Sequence, residues 1–134
     1  MELRTDRNEL TVDWADRFRK LSEKKEYAAF VYSMEVDGKK KYYIGRTYSG
    51  FGRNGPIQPN VIIPFIYFYV IESIFEWLKN RAKIECFIHT HPKPKEGFTN
   101  RHFSPVDLKL LGLHRMKSVC VVPYENNEIN IINK

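Results

Sequence analysis

The sequence predicts one α/β domain whose helices pack on a β-sheet. Three observations predict it. The chain has 134 residues, 43% of them hydrophobic, which suits one domain with a core of its own and leaves little for a second. Segments with helical spacing alternate with segments of strand character along its length. One run, "EYAAFVYSMEV", is apolar on both of its alternating faces, as expected of a strand covered on two sides.

Taken in order, the first element is a helix over about 11–24, with a core domain over about 26–134 behind it. In "TVDWADRFRKLSEKK" Trp14, Phe18 and Leu21 recur at helical spacing, leaving Arg17, Arg19 and Lys20 for solvent. "EYAAFVYSMEV" follows as a central strand. Asp37-Gly38 suits the positive φ values of a tight hairpin turn, and "KYYIG" is the returning strand. "RTYSGFGRNGPIQPN" gathers glycine and proline breakers and predicts a long loop. Within it, Gly50-Phe51-Gly52-Arg53-Asn54-Gly55 matches a dinucleotide fingerprint. Pro56 and Pro59 stand where the helix of that motif would run, and no acid follows at the usual distance, so no nucleotide site is expected.

Pro64 suits the first turn of a second helix. Glu72, Glu76, Lys79 and Asn80 form one stripe and Tyr67, Ile71, Ile74 and Leu78 another, a helix packed on the sheet. "KIECFIHTH" reads as a strand, "SPVDLKLLGLHRMK" as a helix, and "SVCVVPY" with "EINIIN" as a closing hairpin.

Charge and composition narrow the function classes. A formal net charge of +6 suits an acidic partner surface but lies within the ordinary range, and does not by itself indicate nucleic acid. Cys86 and Cys120 sit inside apolar runs, so buried free thiols in a reducing compartment are expected rather than a disulfide framework. No basic segment followed by an apolar stretch opens the chain, so no signal peptide is expected. Glu72 and Glu76 interrupt the one membrane candidate, "VIIPFIYFYVIESIFEWL", and a membrane partner is not expected.

The chemistry concentrates in "CFIHTHPKPKEGFTNRHFSPVDLKLL". On a strand His89 and His91 project to one side with Cα atoms about 6.6 Å apart, near enough to share a cation, while Thr90 points away. Pro92 ends the strand there, which predicts both imidazoles at an exposed sheet edge. By itself the pair is weak evidence, and two satisfied or solvated histidines are its ordinary reading. Ser104-Pro105-Val106-Asp107 is a complete helix start needing no function, yet a first-turn Asp107 beside the Ser104 hydroxyl also suits a cation. Two imidazoles and one carboxylate make the three-ligand set of a catalytic zinc, which needs a separate general base. Glu26, leading into the buried strand, is the candidate; taken alone, its ordinary reading is the solvated end of the Glu23-Lys24-Lys25 charge run.

Together, Glu26 heading "EYAAFVY", then His89-Thr90-His91-Pro92, then Ser104-x-x-Asp107, resemble the JAMM signature of the JAB/MPN metalloproteases. The likeness spans about Glu26 to the end, and "FIHTHP" with Phe103-Ser104 looks most like small bacterial JAB-like domains, including toxin-associated effector domains. The resemblance implies a three-layer α/β sandwich with a mixed sheet between helices, Zn2+ as cofactor, and hydrolysis of peptide or isopeptide bonds in a polypeptide or ubiquitin-like conjugate. It implies His89, His91 and Asp107 as zinc ligands, Glu26 as acid/base and Ser104 as oxyanion support. The His91–Asp107 connection is longer than the family's usual spacing, and its His102 is an alternative ligand; His114 reads as structural. Cytoplasmic residence, or delivery into a target-cell cytoplasm, is the matching expectation. A turnover-free MPN-like scaffold and a metal-dependent nuclease are the competing readings; a zinc deaminase lacks its H-x-E and P-C-x-x-C motifs here.

Overall fold

The computed structural model describes residues 2–23, 25–52, 62–91, 93, 105–124 and 127–134, with side chains at all of these except 49–52, 62–68 and 105–107. It is a mixed α/β structure. The helices are α1 (Arg7–Arg19), α2 (Ile62–Asn80) and α3 (Pro105–Leu111); the strands are β1 (Lys25–Val36), β2 (Lys39–Ile44), β3 (Tyr48–Gly52), β4 (Lys83–His91), β5 (Ser118–Pro123) and β6 (Asn130–Asn133). The sheet runs β2-β1-β4-β5-β6, with β3 also on β1. Among the described residues only the β4–β5 pairing is parallel, so the sheet is mixed.

β1 sits inside the sheet because both its faces are apolar. Ala28, Phe30 and Tyr32 join Phe87, Val119 and Leu110 in one buried cluster, against which Tyr69 of α2 packs. Ala29 and Val31 join Cys86, Ile88, Cys120 and Val122 in the other, closed by Leu10, Trp14 and Ala15 of α1. Both cysteines are free and buried, as expected. The hairpin turn holds Asp37 at φ 52° and Gly38 at φ 77°, the two positive values the Asp-Gly pair predicts.

Several expectations are corrected. α1 begins ahead of Thr11 because Asp6 caps it, accepting a 2.9 Å hydrogen bond from the Asn8 amide, and it stops at Arg19 rather than at 24. Leu21 therefore lies beyond the helix and is exposed. Arg19, expected in solvent, is buried, donating to the carbonyls of Pro123 (3.0 Å) and Glu128 (2.6 Å) and so tying α1 to the end of β5. The expected glycine-rich loop contains β3, a strand made by pairing with β1 despite its composition, so Gly50 and Gly52 lie on a strand. Residues 53–61 lie outside the described ones. The third helix ends at Leu111, and exposed His114 follows it in a turn, its carbonyl accepting from the Tyr69 hydroxyl.

The rotation of α2 reverses the usual inference from its two stripes. Its polar stripe faces the sheet: the hydroxyls of Tyr32 and Tyr43 donate to Glu72 and Glu76, each at 2.8 Å, and the Arg46 amide donates to Glu72 at 3.0 Å. Gly45 permits this approach, since a Cβ there would stand 2.9 Å from Glu72 Oε1 and from Tyr32 Cε2. Burial raises the Glu72 pKa, and raises both tyrosines further. The apolar stripe, including Ile71, Ile74, Phe75 and Leu78, is exposed. Among the described residues no helix is long and apolar enough to cross a membrane.

The register of β1 on β4 shifts between Val31↔Cys86 and Tyr32↔Ile84, leaving Glu85 as the extra residue of a bulge. Its buried carboxylate accepts from Ser33 Oγ at 2.6 Å and pairs with Lys40 and Lys117, both at 3.0 Å. Burial alone would raise its pKa; the bonds from Ser33, Lys40 and Lys117 outweigh that and lower it. A lowered folded-state pKa gives stability that is complete above the unfolded carboxyl value, about 4.3, and lost as pH falls through the lower folded value. Glu85→Gln is expected to cost about 2 kcal/mol at neutral pH, a gap that narrows on acidification. Urea unfolding of both proteins between pH 7 and pH 3 checks it; a pH-independent gap would refute the ionic account.

Candidate metal centre

The site forms where β1 begins and β4 ends. Antiparallel pairing sets Ala28 opposite His89, so Glu26, two residues earlier, lies beside His91, two residues later. Period-two alternation then puts Glu26, His89 and His91 on the same face as Ala28, Phe30 and Phe87. The donor atoms of the two imidazoles and the Glu26 carboxylate all lie within 4.8 Å of one another. The imidazole rings meet edge to face with centroids 4.8 Å apart, and His89 stacks on Phe87 at 5.1 Å, which restricts its rotation.

The expectation of an exposed sheet edge is corrected. β4 lies between β1 and β5, in the middle of the sheet, and the end of a strand is not the edge of a sheet. His89 and His91 are 4% and 6% exposed and Glu26 is half-buried, so electrostatic interactions among them are less screened than at a surface.

Two local features flank Glu26. The pairing of β1 with β3 slips between Glu26 and Tyr27, leaving Gly50 as the extra residue on β3. The Tyr27 amide donates instead to Thr90 Oγ1 at 2.9 Å, and Thr90 is fully buried, so this bond pins the start of β1 against β4 between the two histidines. Thr90 itself points to the α1 side, as alternation requires.

Of the five residues singled out in the sequence, the structure brings Glu26, His89 and His91 together. Asp107 belongs to the first turns of α3, on the path by which the chain returns from the His91 end of β4 to the start of the parallel strand β5. The Asp107 side chain, Ser104, Pro92 and His102 lie outside the described ones.

Sequence reasoning missed Phe87 and Tyr48. The spacing Phe87-His89-His91 contained the first. Tyr48 sat in the supposed loop, yet it pairs with Ala28, which pairs in turn with His89, so Tyr48 and His89 flank Ala28 across three strands. Burial and the neighbouring Glu72 carboxylate push the Tyr48 pKa up to about 12, so it stands there as a neutral phenol.

A donor set of two imidazoles and a carboxylate fits zinc or another borderline divalent ion. No protein-family model matches the sequence, and no curated protein does.

Thr90→Val keeps the shape of the side chain and leaves the Tyr27 amide without its acceptor. It is expected to lower stability by about 1–3 kcal/mol. Urea denaturation checks this, and amide exchange at Tyr27 shows whether the loss is local; unchanged exchange there would mean the hydroxyl does not hold the strand.

Proposed function

We propose that the chain is a zinc-dependent hydrolase of peptide or isopeptide bonds, of the JAMM type, built as a three-layer JAB/MPN-like sandwich. The observation that carries the reading is the meeting of Glu26, His89 and His91 on one sheet face, because the ordered signature requires Glu26 to converge on two histidines that lie 63 and 65 residues further along the chain. The separate core clusters on the two faces of the sheet, one closed by α1 and the other by α3 with α2 packed against it, support the layered architecture. The substrate in this reading is a polypeptide or a ubiquitin-like conjugate, with a cytoplasm as the matching compartment.

His89, His91 and Asp107 would hold the ion. When bound, zinc supplies a Lewis acid and lowers the pKa of a coordinated water toward about 7. Glu26 takes the proton from the attacking water and returns it to the departing amine, a role that needs a carboxylate within one water of the reacting oxygen. Phe87 keeps the His89 ring in one orientation by stacking, and the Tyr27–Thr90 bond keeps Glu26 at the mouth of the site. Ser104, by resemblance, donates its hydroxyl to the oxyanion.

A second reading has a specific basis: the Glu26 carboxylate lies as near the imidazole nitrogens as a third ligand would, which suits a two-histidine, one-carboxylate centre. One set of variants separates the two. Purified protein is expected to carry about one zinc per chain, lost in His89→Ala. Glu26→Gln is expected to keep zinc and lose at least about 100-fold in amide hydrolysis, measured on peptides and lysine isopeptides. Zinc loss in Glu26→Gln would establish it as a ligand, and stoichiometric zinc in His89→Ala would rule out the site.

A further inference from the structure

α2 is anchored by the wrong face for a helix of a self-contained protein. Glu72, Glu76 and Asn80 are turned inward onto Tyr32, Tyr43 and the Arg46 amide, so hydroxyl–carboxylate bonds fix the rotation of the helix. Val70, Ile71, Ile74, Phe75, Trp77 and Leu78 consequently face outward at 39–66% exposure. At 100° per residue these six fill one continuous arc, and among the helix residues whose side chains are described no polar one interrupts it. They present on the order of 600 Å² of apolar surface, the upper end of what a monomer leaves in one patch.

We infer that this face is a two-fold interface, on which a second copy of the chain docks its own α2 antiparallel to the first. The patch is symmetric about Ile74: Val70 and Leu78 lie four residues to either side, so an antiparallel mate sets Val70 against Leu78 and Ile74 against its twin. Such self-complementarity is what an isologous contact requires. Pairing two copies removes at most roughly 1,200 Å², the lower limit of the range of specific interfaces.

Charge selects the antiparallel arrangement. Among the described residues the cations near the patch gather at its C-terminal end: Lys79, then Arg81 and Arg115, whose guanidinium groups lie 5.4 and 5.9 Å from the Trp77 ring centroid. A parallel mate would bring the two sets together. An antiparallel mate separates Lys79 from its twin by about 15 Å along the axis and Arg81 from its twin by about 21 Å, beyond the screening length of roughly 8–10 Å. It also opposes the two helix dipoles.

The interface does not depend on the metal reading, since no residue of the histidine site takes part. Sedimentation velocity across a concentration series is expected to show a monomer–dimer equilibrium, which Phe75→Glu weakens about 30-fold or more, the loss typical of an interface anchor. Ile74→Cys, at the symmetry axis, is expected to form a disulfide-linked dimer under mild oxidation, whereas Val12→Cys, exposed on α1, does not; Cys86 and Cys120 are buried and do not interfere. The cysteine variant keeps the test valid if Phe75→Glu fails to fold. A chain that stays monomeric at the highest soluble concentration, or equal crosslinking at both cysteines, overturns the inference. So does a monomer that binds phosphatidylserine vesicles through Phe75, which would assign the face to lipid.

Discussion

The register of β1 on β4 is the constraint on which the rest of the molecule depends. A slip of one residue would turn every β1 side chain to the other face, moving Glu26 away from His89 and His91 and setting Ala29 and Val31 against the wrong core. The register is fixed several times over. Phe30 meets Phe87 with ring centroids 5.2 Å apart, the bulge at Glu85 is locked by Ser33, Lys40 and Lys117, and the Tyr27 amide reaches Thr90. Both faces of β1 are buried, so no slipped pairing leaves its apolar side chains equally covered.

Features set by local alternation were legible in the sequence. The two-sided apolar run located the central strand, Asp37-Gly38 the hairpin, and His89 and His91 their shared face, because each depends on residues adjacent in sequence. Features set by a distant partner were not legible. Tyr48–Gly52 is glycine-containing and reads as loop; it is a strand because β1 offers it an edge. Arg19 reads as a solvated helix residue; it is buried because two carbonyls more than 100 residues away accept from it. The start of α1 was misplaced because its cap, Asp6, precedes the apolar repeat used to find the helix.

The orientation of α2 belongs to the second kind, although a signal for it existed. Periodicity establishes that a helix has two stripes and says nothing about which one meets the sheet. Tyr32 and Tyr43 are buried with their hydroxyls on the helix side, and buried hydroxyls need partners. A sheet that presents two phenols can pair with a helix that presents two carboxylates, and Glu72 and Glu76, one turn apart, match that demand.

The same pairing bears on which acid serves the histidine site. Glu72 shares the sheet face of His89, but its oxygens already accept from Tyr32 and the Arg46 amide. Glu85 is committed to Ser33 and two lysines at the other end of β4. Glu35 stands opposite Lys40 in the β1–β2 ladder, nine residues along β1 from Glu26, about 30 Å away. Among the described residues Glu26 is the carboxylate that joins both imidazoles, and it does so at the start of a strand, where it is half-buried and solvent can reach it. The bonds that turn the apolar stripe of α2 outward also occupy Glu72 and Glu76, which leaves Glu26, among the described residues, as the acid beside the two imidazoles and the base that the proposed hydrolysis needs.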